Sequence, residues 1–382
     1  MRFPLKYGRS EINISIDNPE GLDFLERNEA PTSEADSASL VRAALEKARP
    51  GLMEFLAPVK SVAVIVSDQT RPTGSEIYMP ILFEEFKRAG LNDVTVILAQ
   101  GLHLPATEAE IEAIMGGPVP PGVRVINHDP DNNLKKCGDA FFRKEAVEAD
   151  AVIITGSVIF HPMAGFSGGR KSLLPGIASR DDIYRNHRLY FDGIHQNTGC
   201  GPGLADDNPV RKDLTDRTRG FDKLWALNVV MGESKDIIFA SCGDADAVWK
   251  SCADFVYTNY SVSISGEYDT VISTSGGYPS DYSFYQSMKV LTNSARACRE
   301  GGRLIIFAEC SMGWEINERL LALFTLSAEG IAKLLIENFR MDVLAMYMAL
   351  KIISSYEVWL YSSLPREEVE SAGMNYLGNT AD

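Results

Sequence analysis

The chain has 382 residues, 45% hydrophobic and 23% charged, with 37 basic against 52 acidic residues and a formal net charge of −15. A chain of this length exceeds what one core usually holds, so two α/β-sized domains are expected, and the composition excludes a disordered polypeptide. The acidic balance opposes binding to nucleic acid or an anionic membrane, so an anionic ligand would have to be met by locally placed cations.

The first strong signal in chain order is the apolar run SVAVIVSD at 61–68, followed by the helical pattern PILFEEFKRAG and a second apolar run, VTVILAQG, at 94–101. This is the strand, helix, strand alternation of a parallel sheet. Further strands are expected at 123–129 (VRVINHD), 151–156 (AVIITG) and 224–232 (LWALNVVMG). The acidic, turn-containing stretch 17–40 reads as an exposed connection entering a helix. Polar residues at 257–268 precede a fresh strand, YDTVISTSGG, then a helix and the strand GGRLIIFAEC at 301–310. The domain boundary is therefore set near 263, giving an N-terminal α/β domain over 1–262 and a C-terminal one over 263–382. The least polar long stretch, from Met341 through Tyr361, is interrupted by Lys351 and reads as a buried helix running into a strand. No run reaches the roughly 18 apolar residues of a membrane span, and no secretory h-region follows the start. Cys137, Cys200, Cys242, Cys252, Cys298 and Cys310 form no C-x-x-C, which suggests reduced thiols and a cytoplasmic setting.

Reactive residues fall at the ends of the expected strands, where parallel sheets place their sites. Asp68 and Arg71 follow the first strand, His103 the second, and His161 the AVIITG strand. In the second domain, Gln286 and Lys289 lie i, i+3 on a helix and face one way. An active-site cleft between the two rims is the expected ligand site.

The densest stretch is HPMAGFSGGRKSLLPGIASRDDIYRNH at 161–187. His161 can exchange protons near neutral pH. Lys171 is a nucleophile if its amine loses its proton. Gly165, Gly168 and Gly169 let backbone N–H groups approach an anion, and His187 is a candidate metal ligand. The spacing G-x-x-x-x-G-K-[ST] of a phosphate loop is not met, because Arg170 stands between Gly169 and Lys171. No G-x-G-x-x-G opens a helix after the early strands, which disfavours a dinucleotide-dependent dehydrogenase.

These blocks resemble the nickel-pincer-dependent lactate racemases and their 2-hydroxyacid racemase and epimerase relatives. The resemblance runs from SDQTRP through QGLHLPATEAE, the 161–187 block and SGGYPSDYSFYQSMK to GGRLIIFAEC, with His161, Lys171, Pro175, Gly176 and His187 in the family's order. It implies two Rossmann-like domains and a cofactor made of nickel held by a pyridinium mononucleotide with thioamide and thiocarboxylate arms. That nickel-pincer nucleotide would be linked to Lys171, with His187 completing the metal's ligands and Ser167, Gly168, Gly169 and Gln286 supporting the cofactor. His103 and His161 would be the two proton-exchanging residues, Arg71 and Lys289 would hold the substrate carboxylate, and Asp68 would orient a neighbouring base or Arg71. The implied partners are a small 2-hydroxy acid, the enzymes that make the cofactor and a second copy of the chain.

Departures from the family pattern are Leu104, where relatives often carry a basic residue, the insertion-like segment 188–209, and an early end at GNTAD. The first puts lactate itself in question, the second is expected to shape the substrate pocket, and larger or more polar hydroxy acids fit both. Two readings from other classes remain open on the residues alone. One is a zinc-dependent hydrolase using the histidines, although no H-E-x-x-H is present; the other is a non-catalytic nucleotide-binding module. His128 and His195 receive no role.

Overall fold

The computed structural model describes residues 1–26, 35–71, 73–232, 234–316 and 318–378, so part of the connection expected at 17–40 lies outside the described residues. The chain is a mixed α/β protein that divides into two compact units. One comprises Arg27–Asp192 and Gln196–Ser261; the other comprises Met1–Glu26, Gly193–His195 and Val262–Asp382. Thus the segment Met1–Glu26, which the sequence pattern grouped with the first domain, is part of the C-terminal unit. There the hairpin of Arg2–Tyr7 and Ser10–Ser15 is tied down because the Gly8 N–H donates to the buried carboxylate of Asp281 at 2.7 Å.

The larger unit is built on a six-stranded sheet in the order Ile237–Asp244, Leu224–Met231, Ala151–Ser157, Ser61–Ser67, Asp93–Ala99, Val123–Asn127. All neighbours are parallel except the first pair. Strands such as SVAVIVS are apolar throughout rather than alternating, and their interiors are buried, as expected for a parallel sheet covered on both faces. The strand order reverses between Ser61–Ser67 and Ala151–Ser157, the kind of position at which parallel sheets place ligands beyond the carboxyl ends of their strands.

The smaller unit carries a fully parallel sheet in chain order: Tyr268–Thr274, Cys298–Phe307, Glu357–Tyr361, Asn375–Gly378. The apolar stretch after Met341 is the helix Met341–Ser355 followed by the strand Glu357–Tyr361, as its pattern predicts. No helix among the described residues is long and apolar enough to cross a membrane.

His128, left without a role by its sequence, is buried at the end of an edge strand. Its Nε2 lies 2.9 Å from the Ala178 carbonyl, so Nε2–H donates. Burial pushes its pKa down to about 4. A histidine depressed in this way stabilises the fold fully above the unfolded value near 6.5 and loses that contribution as pH falls through about 4. Lowering the pH from 7 to 5 should therefore cost about 2 kcal/mol at this residue. Urea unfolding at the two pH values is the measurement, and His128→Gln should flatten the difference.

Candidate active site

The loops leaving three adjacent strands carry the candidate residues. Asp68 directly follows Ser61–Ser67 and is buried. Its Oδ1 accepts from the Thr70 backbone N–H at 3.0 Å and from the Thr70 hydroxyl at 2.6 Å, while its Oδ2 lies 2.6 Å from Nδ1 of His103. Burial alone would raise the Asp68 carboxyl, but the hydrogen bonds from His103 and Thr70 outweigh it and hold the group below the usual carboxylate range. An ionised Asp68 makes Nδ1 the protonated nitrogen of His103, which leaves Nε2 as the basic atom on the exposed edge of the ring. This is a carboxylate–imidazole pair oriented for proton transfer. The Arg71 backbone N–H closes the same turn onto the Asp68 carbonyl, and its side chain is exposed.

The 100–103 loop is docked on the lysine segment, because the Gly101 N–H donates to the Gly176 carbonyl at 2.9 Å. Gly176 itself is required by packing: a Cβ there would meet the Ser172 carbonyl oxygen at 2.1 Å. Lys171 lies in the short 3-10 turn Gly169–Ser172, whose Ser172 hydroxyl donates to the Thr155 carbonyl of the Ala151–Ser157 strand. Burial and the positive charges of Arg211 and Arg71 push the Lys171 amine down to about 7. A substantial fraction is therefore the nucleophilic free base at neutral pH.

The glycine turn is packed closely against its neighbours. The Gly169 N–H already donates to Asn228 Oδ1 at 2.9 Å, and a Cβ on Gly169 would strike the Trp249 ring at 2.8 Å. A Cβ on Gly168 would lie 2.6 Å from Val158. The Ser167 hydroxyl accepts from the Ile159 N–H and donates to the Ser157 carbonyl. These three residues are thus committed to seating the Lys171 turn against the sheet, with both glycines at positive φ.

His187 is buried in the helix Arg180–Arg188, which starts at Ser179 because its hydroxyl accepts from the Asp182 N–H. Its Nδ1–H donates to the Ile183 carbonyl at 2.8 Å, which fixes the tautomer with the lone pair on Nε2, the form a metal ligand needs. Burial and the charge of Lys171 push its pKa down to about 3, with the Ile183 hydrogen bond opposing. His161, on the strand Phe160–His161, has the reverse arrangement: its Nδ1 accepts from the N–H groups of Met163 at 3.2 Å and Ala164 at 3.1 Å. Burial, then the charges of Lys171, Arg71, His187 and Arg211, hold it well below the ordinary imidazole range.

His161, Lys171, His187 and Arg71 are thus close enough to act on one another electrostatically, and the Asp68–His103 pair adjoins them through Arg71. Gln286 and Lys289 belong to the other unit, on the helix Phe284–Ala295 capped by Ser283. Three contributors escaped the sequence pattern: Thr70, Asn208 and Arg211. Asn208 followed by Pro209 reads as a helix start. Nothing in the sequence ties it, or Arg211, to a turn some 45 residues earlier.

Among the described residues no group of three or more His, Cys, Asp or Glu side chains is placed to hold a metal ion. A metal bound at His187 would therefore need donors from a ligand beside those of the described protein residues. One lone-pair-bearing imidazole beside a lysine of depressed basicity fits a cofactor that brings its own sulfur donors and is tethered by an amide-type link.

Comparison with known proteins gives the family. Residues 7–199 match the lactate racemase N-terminal domain, and residues 264–376 match the lactate racemase C-terminal domain. These matches place the chain among the racemases, a class of isomerases. The chain belongs to the lactate racemase family. It is 32% identical over 322 residues to a lactate racemase of Thermoanaerobacterium thermosaccharolyticum, covering 81% of this chain and 74% of that one. It is 35% identical over 306 residues to a lactate racemase of Lactiplantibacillus plantarum, covering 78% of this chain and 65% of the relative. The structure of the Thermoanaerobacterium thermosaccharolyticum lactate racemase apoprotein superposes with a TM-score of 0.87 at 29% identity, over 98% of this chain and 92% of that one. A Thermotoga maritima protein shares the fold at a TM-score of 0.64 and 18% identity, over 91% of this chain and 93% of that one.

Proposed function

We propose that the protein interconverts the enantiomers of a small 2-hydroxy acid, lactate or a larger homologue, through a planar 2-keto acid. The observation that carries the reading is the convergence of Lys171, His187 and His161 beside the Asp68–His103 pair, in a chain of the lactate racemase family. A nickel-pincer nucleotide, when bound, supplies an acceptor for the 2-hydride. Lys171 is the residue that tethers it and His187 the residue that ligates its nickel. Ser167, Gly168 and Gly169 seat the tether, and Gln286 supports the cofactor by hydrogen bonding.

The chain's own residues handle the substrate and its proton. Arg71 and Lys289 hold the carboxylate, Arg71 through two parallel N–H bonds. In this reading both units are Rossmann-like and Lys289 is brought to the substrate as they close and exclude water. His103 takes the hydroxyl proton of one enantiomer on Nε2, and Asp68 stabilises the imidazolium that forms. His161 serves the 2-oxygen from the opposite side, so that each face of the keto acid meets its own imidazole. Leu104, 82% exposed beside His103, places an apolar side chain where family members often carry a cation, which favours hydroxy acids with a larger apolar substituent.

The test is isotopic. L-lactate deuterated at C2, racemised in ordinary water by the protein produced together with the cofactor-making enzymes, should give D-lactate that keeps its deuterium. Washout of the label into water would replace hydride transfer by simple deprotonation at C2, and absence of racemisation of any 2-hydroxy acid would overturn the reading altogether.

A further inference from the structure

His161 and His103 are placed in opposite tautomers. His103 gives its Nδ1–H to Asp68 and keeps a lone pair on Nε2, whereas His161 receives two backbone N–H groups at Nδ1. A neutral His161 must then carry its proton on Nε2, because a proton on Nδ1 would face two donors with no acceptor.

Of those two N–H groups, that of Ala164 is gripped through its own peptide plane, and the next carbonyls along the turn are gripped as well. In a trans peptide the carbonyl and the following N–H point in opposite directions, so gripping one aims the other. The Met163 carbonyl belongs to the same peptide as the Ala164 N–H, and it accepts from Asn208 Nδ2 at 2.7 Å. The Ala164 carbonyl accepts from Arg211 Nε at 3.2 Å, and the Phe166 carbonyl from Arg211 Nη2 at 3.0 Å. The Gly165 carbonyl accepts from the Gly203 N–H, and a Cβ on Gly165 would lie 2.3 Å from the Leu204 carbonyl oxygen. Arg211 is itself buried and stacked 3.7 Å over the Trp249 ring, and Asn208 Oδ1 accepts from the Arg211 N–H, so the two grips are rigidly joined.

We propose that Asn208 and Arg211 are positioning residues that lock His161 as an Nε2–H donor, so that the two histidines rest as an unlike pair, His103 ready to accept a proton and His161 ready to give one. For the part that concerns substrate this rests on the racemase reading above. As C2 regains its hydride, His161 gives its Nε2 proton to the 2-oxygen and becomes an imidazolate, its Nδ1 lone pair held by the two amides and its charge facing Arg71 and Arg211. The reverse direction runs the same steps backwards from the state that has not been reset, with His103 protonated and His161 an imidazolate that takes the hydroxyl proton on Nε2. Over one conversion His103 gains the proton that His161 loses, and exchange with water resets both. A neutral imidazole used in this way polarises the oxygen without a buried imidazolium.

The test reads the tautomer directly, without cofactor or substrate. The protein has five histidines, so ¹⁵N-histidine labelling gives a countable set of ring signals, and His161→Gln assigns the relevant one. Expected in the wild-type protein is a His161 ring protonated at Nε2 and bare at Nδ1, opposite to His103. Asn208→Asp and Asn208→Ala should both release it into a mixture of tautomers, with the other four histidines unchanged. Asp retains the acceptor that caps the helix but cannot donate to Met163, so a merely structural cap would be rescued by Asp and the tautomer lock would not. In the loaded enzyme, Asn208→Asp should lower kcat roughly 10–10²-fold with little change in KM. A wild-type His161 protonated at Nδ1, or an Asn208→Asp protein that keeps the wild-type tautomer, overturns the proposal. Both readouts stand even if the substrate proves to be something other than a hydroxy acid.

Discussion

Replacing Lys171 by alanine is expected to abolish racemisation, by more than roughly 10⁶-fold, because the residue would hold the group that carries out the difficult step and the remaining side chains only bind and move protons. The fold should survive, since the turn around Lys171 is seated by Gly168, Gly169 and Ser172 against the sheet rather than by the lysine side chain. Intact mass of the protein made alongside the cofactor-making enzymes is the direct measurement. The wild type should carry one adduct and one nickel, and Lys171→Ala neither. Lys171→Arg should behave like alanine, because a guanidinium stays protonated. With the amine at about 7, adduct formation should be faster at pH 8 than at pH 6, as the free base is the attacking form. An active wild-type racemase with an unmodified Lys171 would refute the tether.

The second large effect is at Asp68. Changing it to asparagine keeps the volume and one acceptor but removes the charge that sets the His103 tautomer across a 2.6 Å contact. The amide can present its NH₂ to Nδ1 instead, which moves the His103 proton to Nε2 and removes the base. kcat should fall roughly 10²–10⁴-fold, with KM changed far less. The hydroxyl of Thr70, which grips the other carboxylate oxygen, is expected to matter through the same geometry. A kcat within a few-fold of wild type in Asp68→Asn would show that His103 is not the base. Steady-state kinetics in both directions decides it, since in the proposed mechanism His103 would serve one enantiomer.

Much of the site was legible because strand periodicity places loops. The apolar runs at 61–68, 94–101 and 151–156 announce parallel strands, and residues just past their ends share a rim in any such sheet. Asp68, His103 and His161 were found in that way. What could not be read was the job of each group. The Gly168–Gly169 pair reads as an anion cradle in sequence, and what the sequence does not show is its close packing on Val158, Asn228 and Trp249, with the Gly169 N–H donating to Asn228. The segment 188–209 looked like an insertion that shapes a pocket, and its end proves to grip the His161 turn through Asn208. His128 looked idle and is a buried, neutral structural residue.

The amino-acid sequence by itself determined the α/β class, the positions of the strands, the family, and the presence of a lysine and four site histidines and acids in a fixed order, because these depend on local periodicity and on motifs read along the chain. Only the tertiary structure decided how the rings of His103 and His161 are hydrogen-bonded, that burial and the charges of Arg211 and Arg71 lower the Lys171 amine, and that Asn208 and Arg211 hold the carbonyls beside His161. Tautomers and shifted basicities are set by atoms within a few ångströms in space. For His187 and His161 the nearest such atoms are local, at Ile183, Met163 and Ala164, whereas Asp68 beside His103 and Arg211 beside Lys171 lie on segments that only folding brings together.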